Sequence, residues 1–290
     1  MSSGQEKLEQ SLQKCVDKAG GSTLTRDGRE STMRSFAQHL HSAGYTITSA
    51  DSLKAKHVES YAQARSQEIS ARTLKNELGD IRKVLTEANK DKLAQSDRLS
   101  NKQLVGNADR TPARTAPDQQ ARDQYKANAA EYDRGVAAAM GLMDKLGLRD
   151  REAIQSPDSL ARWEKQLEKG KPVEVVHGTK GGRPREVNPV DRQGALQAVR
   201  EAREVARQNG GKLVQNPSLR AATSRLSDVA HRAGARGAHS PHSFRYAFAQ
   251  RQLEGYRAAG YTEREARAKT ACDLGHGDGR GRYVASVYGK

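Results

Sequence analysis

The chain has 290 residues, room for one large domain or two ordinary ones, and its 29 % charged and 35 % hydrophobic residues exclude an intrinsically disordered chain. One Trp and three Phe argue for long helices rather than a β-sandwich. The formal net charge of +15 points to a polyanionic partner, nucleic acid first, and the excess is uneven: residues 1–150 carry 24 Lys+Arg against 20 Asp+Glu, residues 151–290 carry 26 against 15.

Taken in chain order, residues 1–24 read as a flexible polar lead-in. Three helices follow. The first places Met33, Phe36 and Leu40 on one face and stops near Gly44; the second runs from about Leu53 to Gln67 with Val58, Tyr61 and Ala62 at helical spacing. The third starts near Ser70 and carries Leu74, Leu78, Ile81 and Leu85 as an i, i+4, i+7, i+11 stripe. Residues 25–90 thus form a small helical domain. From 91 to 120 the periodicity fails, and Pro112 and Pro117 stand among polar residues, so this stretch reads as an interdomain linker.

The second domain spans 121–290. A long helix is expected to Leu146. A β-hairpin follows, with Val173, Val175 and Val176 on one arm, a turn at Gly178–Gly182, and Arg185 to Val190 on the other arm. Helices are expected at about Arg192–Gln208, Ser218–Arg232, Pro241–Ala259 and Thr262–Leu274; Thr262 with Glu265 has capping-box spacing. The fold class is therefore mainly α with a small hairpin or sheet. Cys15 and Cys272 are too few and too distant for a disulfide framework or a metal cluster, which suits a reducing cytoplasm. No apolar run approaches the ~20 residues that span a bilayer, so no membrane partner is expected.

The chemistry-bearing residues fall in the basic half. Gly147-Leu-Arg149-x-x-Glu152 comes first, then Lys180 at the hairpin tip, His242-Ser-Phe-Arg245, Leu274-Gly-His276, and two late tyrosines, Tyr283 and Tyr288. Each fragment alone suits a solvated surface. As an ordered set over about 140 residues, they resemble the catalytic domain of the tyrosine recombinase (phage integrase) family, closest to its prophage and mobile-element branch. The helical domain resembles that family's core-binding domain. The resemblance covers roughly residues 25–290 and is most specific from His242 to Tyr288.

The resemblance implies site-specific DNA recombination through a covalent 3′-phosphotyrosyl intermediate, integrating and in the reverse direction excising a mobile element. It implies double-stranded attachment sites as substrate, a homotetramer on DNA, an accessory DNA-bending protein, and no metal or other cofactor. Arg149 and Arg245 would hold the scissile phosphate, because guanidinium forks onto phosphate oxygens and stays charged. Lys180 would protonate the leaving oxygen, and His242 and His276 would bond the phosphate or assist proton transfer. Glu152 either buttresses an arginine or belongs to a helix surface; His177, His231 and His239 lie outside the motif.

One departure concerns the nucleophile. The family's usual spacing from the Leu-Gly-His histidine lands on Ala285. An insertion in the glycine-rich loop Gly277–Gly281 would bring Tyr288, one turn after Val284, to the nucleophile's place; Tyr283, after Arg282, is the alternative. Two rival readings remain at this point: a DNA-binding relative without catalysis, and a type IB topoisomerase-like enzyme. The separate helical domain favours a recombinase over the latter.

Overall fold

The computed structural model describes residues 3–106, 115–277 and 279–288. The chain divides into two compact units, Met1–Thr111 and Pro112–Lys290.

In the first unit the helices are α1 (Ser3–Ala19), α2 (Thr23–Ser42), α3 (Ala55–Arg65) and α4 (Ala71–Glu87), followed by the short α5 (Asp91–Ala94) and α6 (Asn101–Val105). Ser22 and Ser70 cap α2 and α4 by accepting the backbone N–H three residues on. Phe36, Leu40, Tyr61, Leu74, Leu78 and Leu85 form the core, with Phe36 and Tyr61 edge to face at 5.2 Å. Two expectations are corrected here. The polar lead-in is largely a helix: Leu8, Leu12 and Val16 of α1 are buried in the same core. Residues 91–105 are likewise not linker. Ala94 and Leu99 are buried, Arg82 of α4 donates to the Leu99 carbonyl (2.7 Å) and to Asn101 (3.0 Å), and Arg98 forks onto Glu59 at 2.8 and 2.9 Å. The rest of the expected linker, including Pro112, lies largely outside the described residues.

The second unit begins with α7 (Gln119–Tyr132) and α8 (Arg134–Leu146), where one long helix was expected. Asp133 makes the break. It leaves helical geometry, and its carboxylate accepts the N–H groups of Gly135 and Val136. The apolar side of α8, with Val136, Met140, Leu142, Met143 and Leu146, is the centre of the core. Next come α9 (Asp150–Ile154) and α10 (Pro157–Glu168), then strands β1 (Val173–Val175) and β2 (Arg185–Val187). The strands pair antiparallel with Val173 opposite Val187 and Val175 opposite Arg185. Trp163 fixes α10 to β1, its indole N–H donating to the Glu174 carbonyl at 2.8 Å. The remaining helices are α11 (Arg192–Gln208), α12 (Leu219–Arg232), α13 (His242–Ala258), α14 (Glu263–Asp273) and α15 (Gly281–Tyr288), the last holding Val284 and Tyr288 against the core. The result is mainly α with one small two-stranded antiparallel sheet.

Candidate active site

Two tight turns set the site's frame. α8 ends at Gly147, a left-handed residue (φ 58°) packed so closely on Phe248 of α13 that a Cβ there would lie 2.3 Å from the ring. Only glycine meets both demands, and Arg149 follows two residues later as the N-cap of α9. α14 ends in the same manner: the His276 N–H returns to the Ala271 carbonyl across Gly275 (φ 64°), which exposes the Leu274 carbonyl to the site.

These turns gather the arginines. Arg245, on the first turns of α13, has 1 % of its surface exposed and donates to the carbonyls of Gly147 and Leu274. Arg149 donates to the same Leu274 carbonyl at 3.3 Å and pairs with Glu152 at 2.6 Å, while its own backbone N–H also bonds that carboxylate at 2.8 Å. Glu152 has no exposed surface, so of the two readings open for it the buttress is the one its geometry fits. Its other oxygen takes Arg185 of β2 at 2.7 Å. Burial alone would push the Glu152 carboxyl up; Arg185 and Arg149 outweigh it and lower its pKa to about 2. Two guanidiniums thus share a single carboxylate, and the Arg245 guanidinium stands on the adjoining Gly147 and Leu274 carbonyls, which leaves a net positive seat. Burial, with repulsion from Arg185 and Arg149, lowers the Arg245 pKa to about 10, and the group stays charged at neutral pH.

The two tyrosines of α15 differ in place. Tyr288 is 3 % exposed; its hydroxyl lies 3.4 Å from His276 Nε2, and the charge of Arg245 acts on it. Burial raises its pKa and Arg245 opposes that rise. Tyr283 is 39 % exposed and sets its ring edge to face with His276 at 4.8 Å. His276 is half-buried. Burial first, then Arg245, Arg149, Arg185 and Arg280, lower its pKa to about 4, so the ring is neutral at pH 7.

Of the residues singled out from sequence, Arg149, Arg245, His276 and Tyr288 therefore stand in one cluster: the arginines share the Leu274 carbonyl, and their charges act on the His276–Tyr288 pair. His242, exposed at the start of α13, is connected to it through Tyr246, whose ring is 5.6 Å from His242 and 4.8 Å from Tyr288. Lys180 is not in the cluster. It is exposed on the hairpin loop, two residues after Gly178, which lies against the backbone of Arg151 and Glu152 on α9. His239 is engaged elsewhere, with Tyr125 at 3.0 Å, and His177 and His231 are exposed. Sequence reading missed Arg185. The available signal was strand alternation: two residues before the buried Val187, it occupies an inward position, where a charged residue needs a partner.

Comparison with known proteins gives a family. A family model described as Integrase matches residues 105–251, and one described as Phage integrase, N-terminal, matches residues 5–94. No curated protein matches. Among solved structures, a lambda integrase tetramer bound to a Holliday junction aligns at TM-score 0.63 and 14 % identity, covering 96 % of this chain and 76 % of that one. The Tn1549 transposon integrase in complex with circular intermediate DNA aligns at 0.59 and 15 % identity, covering 96 % and 95 %. The XerH site-specific recombinase bound to its difH substrate aligns at 0.58 and 14 %, covering 96 % and 82 %.

Proposed function

Because the chain belongs to the phage integrase family of tyrosine recombinases, which break and rejoin DNA strands at specific sites, we propose that Tyr288 is the nucleophile of that reaction and that Arg149 and Arg245 hold the scissile phosphate. The observation that carries the choice is the place of the Tyr288 hydroxyl, at 3.4 Å from a neutral His276 and within the charge of Arg245. In the reaction, the Tyr288 oxygen attacks phosphorus while its proton passes to a base, a role we assign to Nε2 of His276 on its 3.4 Å distance. The bond from phosphorus to the 5′ oxygen breaks as the bond to tyrosine forms. Lys180, on its exposed loop, protonates the departing oxygen. Negative charge developing on the non-bridging oxygens meets fixed guanidiniums, each such donor being worth on the order of 3 kcal/mol. His242 adds a hydrogen bond to the phosphate. The phosphotyrosyl bond retains the energy of the phosphodiester, so a free 5′ hydroxyl restores the strand by the reverse path.

The DNA partner is a pair of attachment sites of a mobile element, with integration as the forward direction. Synapsis by four copies of the chain is the assembly we expect, in line with the lambda integrase tetramer on a junction; an accessory DNA-bending protein would assist in the cytoplasm.

The test is a nicked suicide duplex, which traps the covalent adduct. Wild type is expected to form it, Tyr283→Phe to keep it and Tyr288→Phe to lose it while still binding duplex. Mapping the adduct to Tyr283 would move the nucleophile there. An adduct surviving in the double variant would defeat the mechanism, and a wild type that binds duplex without an adduct would favour the binding-only rival.

A further inference from the structure

Arg185 has no part in the reaction as described, yet it is more deeply set than Arg149. It stands on β2 opposite Val175 with 8 % of its surface exposed. Its guanidinium donates to both Glu152 oxygens, at 2.7 Å from Nη2 and 3.5 Å from Nε, to the Gly147 carbonyl at 3.2 Å, and to the Asp273 carbonyl. Each acceptor is part of another site residue's seat. Glu152 holds Arg149. The Gly147 carbonyl also accepts from Arg245. Asp273 immediately precedes Leu274, whose carbonyl accepts from both Arg149 and Arg245. The stem of Arg185 fills the space under the next residue: a Cβ on Gly275 would lie 2.4 Å from Arg185 Cδ. One side chain thus joins the end of α8, the start of α9 and the end of α14.

We propose that Arg185 is a positioning residue for strand cleavage, which acts through Glu152, Gly147 and the Asp273–Leu274 turn to aim Arg149 and Arg245 at the scissile phosphate. The role rests on the cleavage reading above. It does not run through Lys180, because every acceptor of Arg185 belongs to the arginine frame and none to the hairpin loop. The burial of Glu152 adds weight: without Arg185 its carboxylate would keep a single guanidinium partner, Arg149, and Arg149 would lose the anchor's fixed geometry. A displacement of about 1 Å at a reacting centre lowers the rate by about 100-fold.

The experiment uses the full chain as Arg185→Met and Arg185→Lys. Single-turnover adduct formation is measured on a nicked suicide duplex and on the same duplex with a 5′-bridging phosphorothiolate, whose thiolate leaves without a proton donor. Thermal unfolding and duplex affinity are followed in parallel. Arg185→Met is expected to slow cleavage about 100-fold with duplex binding kept. Arg185→Lys should keep the fold, because it retains a charge for Glu152, and still be slowed about tenfold or more, because an ammonium cannot fork over three acceptors. The phosphorothiolate should rescue neither variant while rescuing Lys180→Ala. Cleavage by Arg185→Lys at the wild-type rate would overturn the role. So would phosphorothiolate rescue of either variant, which would place Arg185 with the general acid, or loss of folding in both, which would make it a fold residue only. A wild type without any adduct would bring down the cleavage reading itself; a wild-type adduct with undiminished variants brings down Arg185 alone.

Discussion

His276 shares its half-buried place with the rings of Tyr283 and Tyr288; its burial first, then the nearby charges of Arg245, Arg149 and Arg185, disfavour an imidazolium. Its pKa falls from an ordinary 6.5 to about 4. Between those values the unfolded chain binds a proton that the folded chain refuses, so stability declines as pH falls from about 6.5 toward 4 and is unaffected above that window. His39 and His57 of the first unit are also lowered by burial, so the total acid sensitivity belongs to several groups. The difference between wild type and His276→Gln isolates one of them. Thermal melts at pH 7 and pH 5 are expected to show a larger drop in wild type than in the variant. Equal drops would mean that the imidazole is solvated and charged in the fold, and it could not then accept the Tyr288 proton. The same residue shows what a sequence can reveal about a site. Arg149, Arg245 and His276 were legible as an ordered set of residue types that resembles a family motif. Their shared carbonyl acceptors were not, because a backbone oxygen leaves no mark in a sequence.

Elements were legible where apolar spacing was strong and uninterrupted. The expected span Arg192–Gln208 is the observed α11, and the stripe of Leu74, Leu78, Ile81 and Leu85 is the buried face of α4. Where polar residues dominate a helix, the stripe is thin and easily passed over. α1 presents Leu8, Leu12, Cys15 and Val16 at i, i+4, i+7 and i+8 among Gln, Glu and Lys. α10 presents Leu160, Trp163 and Leu167 after Pro157 at its first position. The break at Asp133 escaped for another reason: helical phase carries on across it, and only the capping bonds of one carboxylate mark the change of helix. The assignment of α1 to the first unit's core is testable. Leu12 has no exposed surface, and α1 packs on α2 and α4. Leu12→Ala should therefore cost about 2–5 kcal/mol in denaturant unfolding, against nearly nothing for a residue on a mobile tail. A cost below about 0.5 kcal/mol, the range of ordinary surface substitutions, would return the segment to a lead-in.

At the scale of the whole molecule the formal excess of +15 is what a phosphate backbone meets, but not every cation contributes to it. Many arginines already have carboxylate partners: Arg200 forks between Glu164 and Glu168, Arg203 also takes Glu164, Arg207 takes Glu204 and Arg257 takes Glu263. Such cations gain little from a phosphate, because binding one means leaving a carboxylate. The unpaired excess, larger in residues 151–290 than in 1–150, is the pool from which phosphate contacts are drawn. Each phosphate neutralised releases condensed counterions and adds roughly −0.9 to the slope of log K against log salt concentration. A chain that holds duplex with about six to ten such contacts should lose about 10³ to 10⁵ in affinity between 50 and 200 mM salt. Duplex titrations of the full chain across that range are expected to show this slope. Arg200→Ala should leave it unchanged, because its charge is already spent on two glutamates. A nearly flat salt response would show that the basic excess is not directed at DNA, and a slope reduced by Arg200→Ala would show that the surface ion pairs open to reach it.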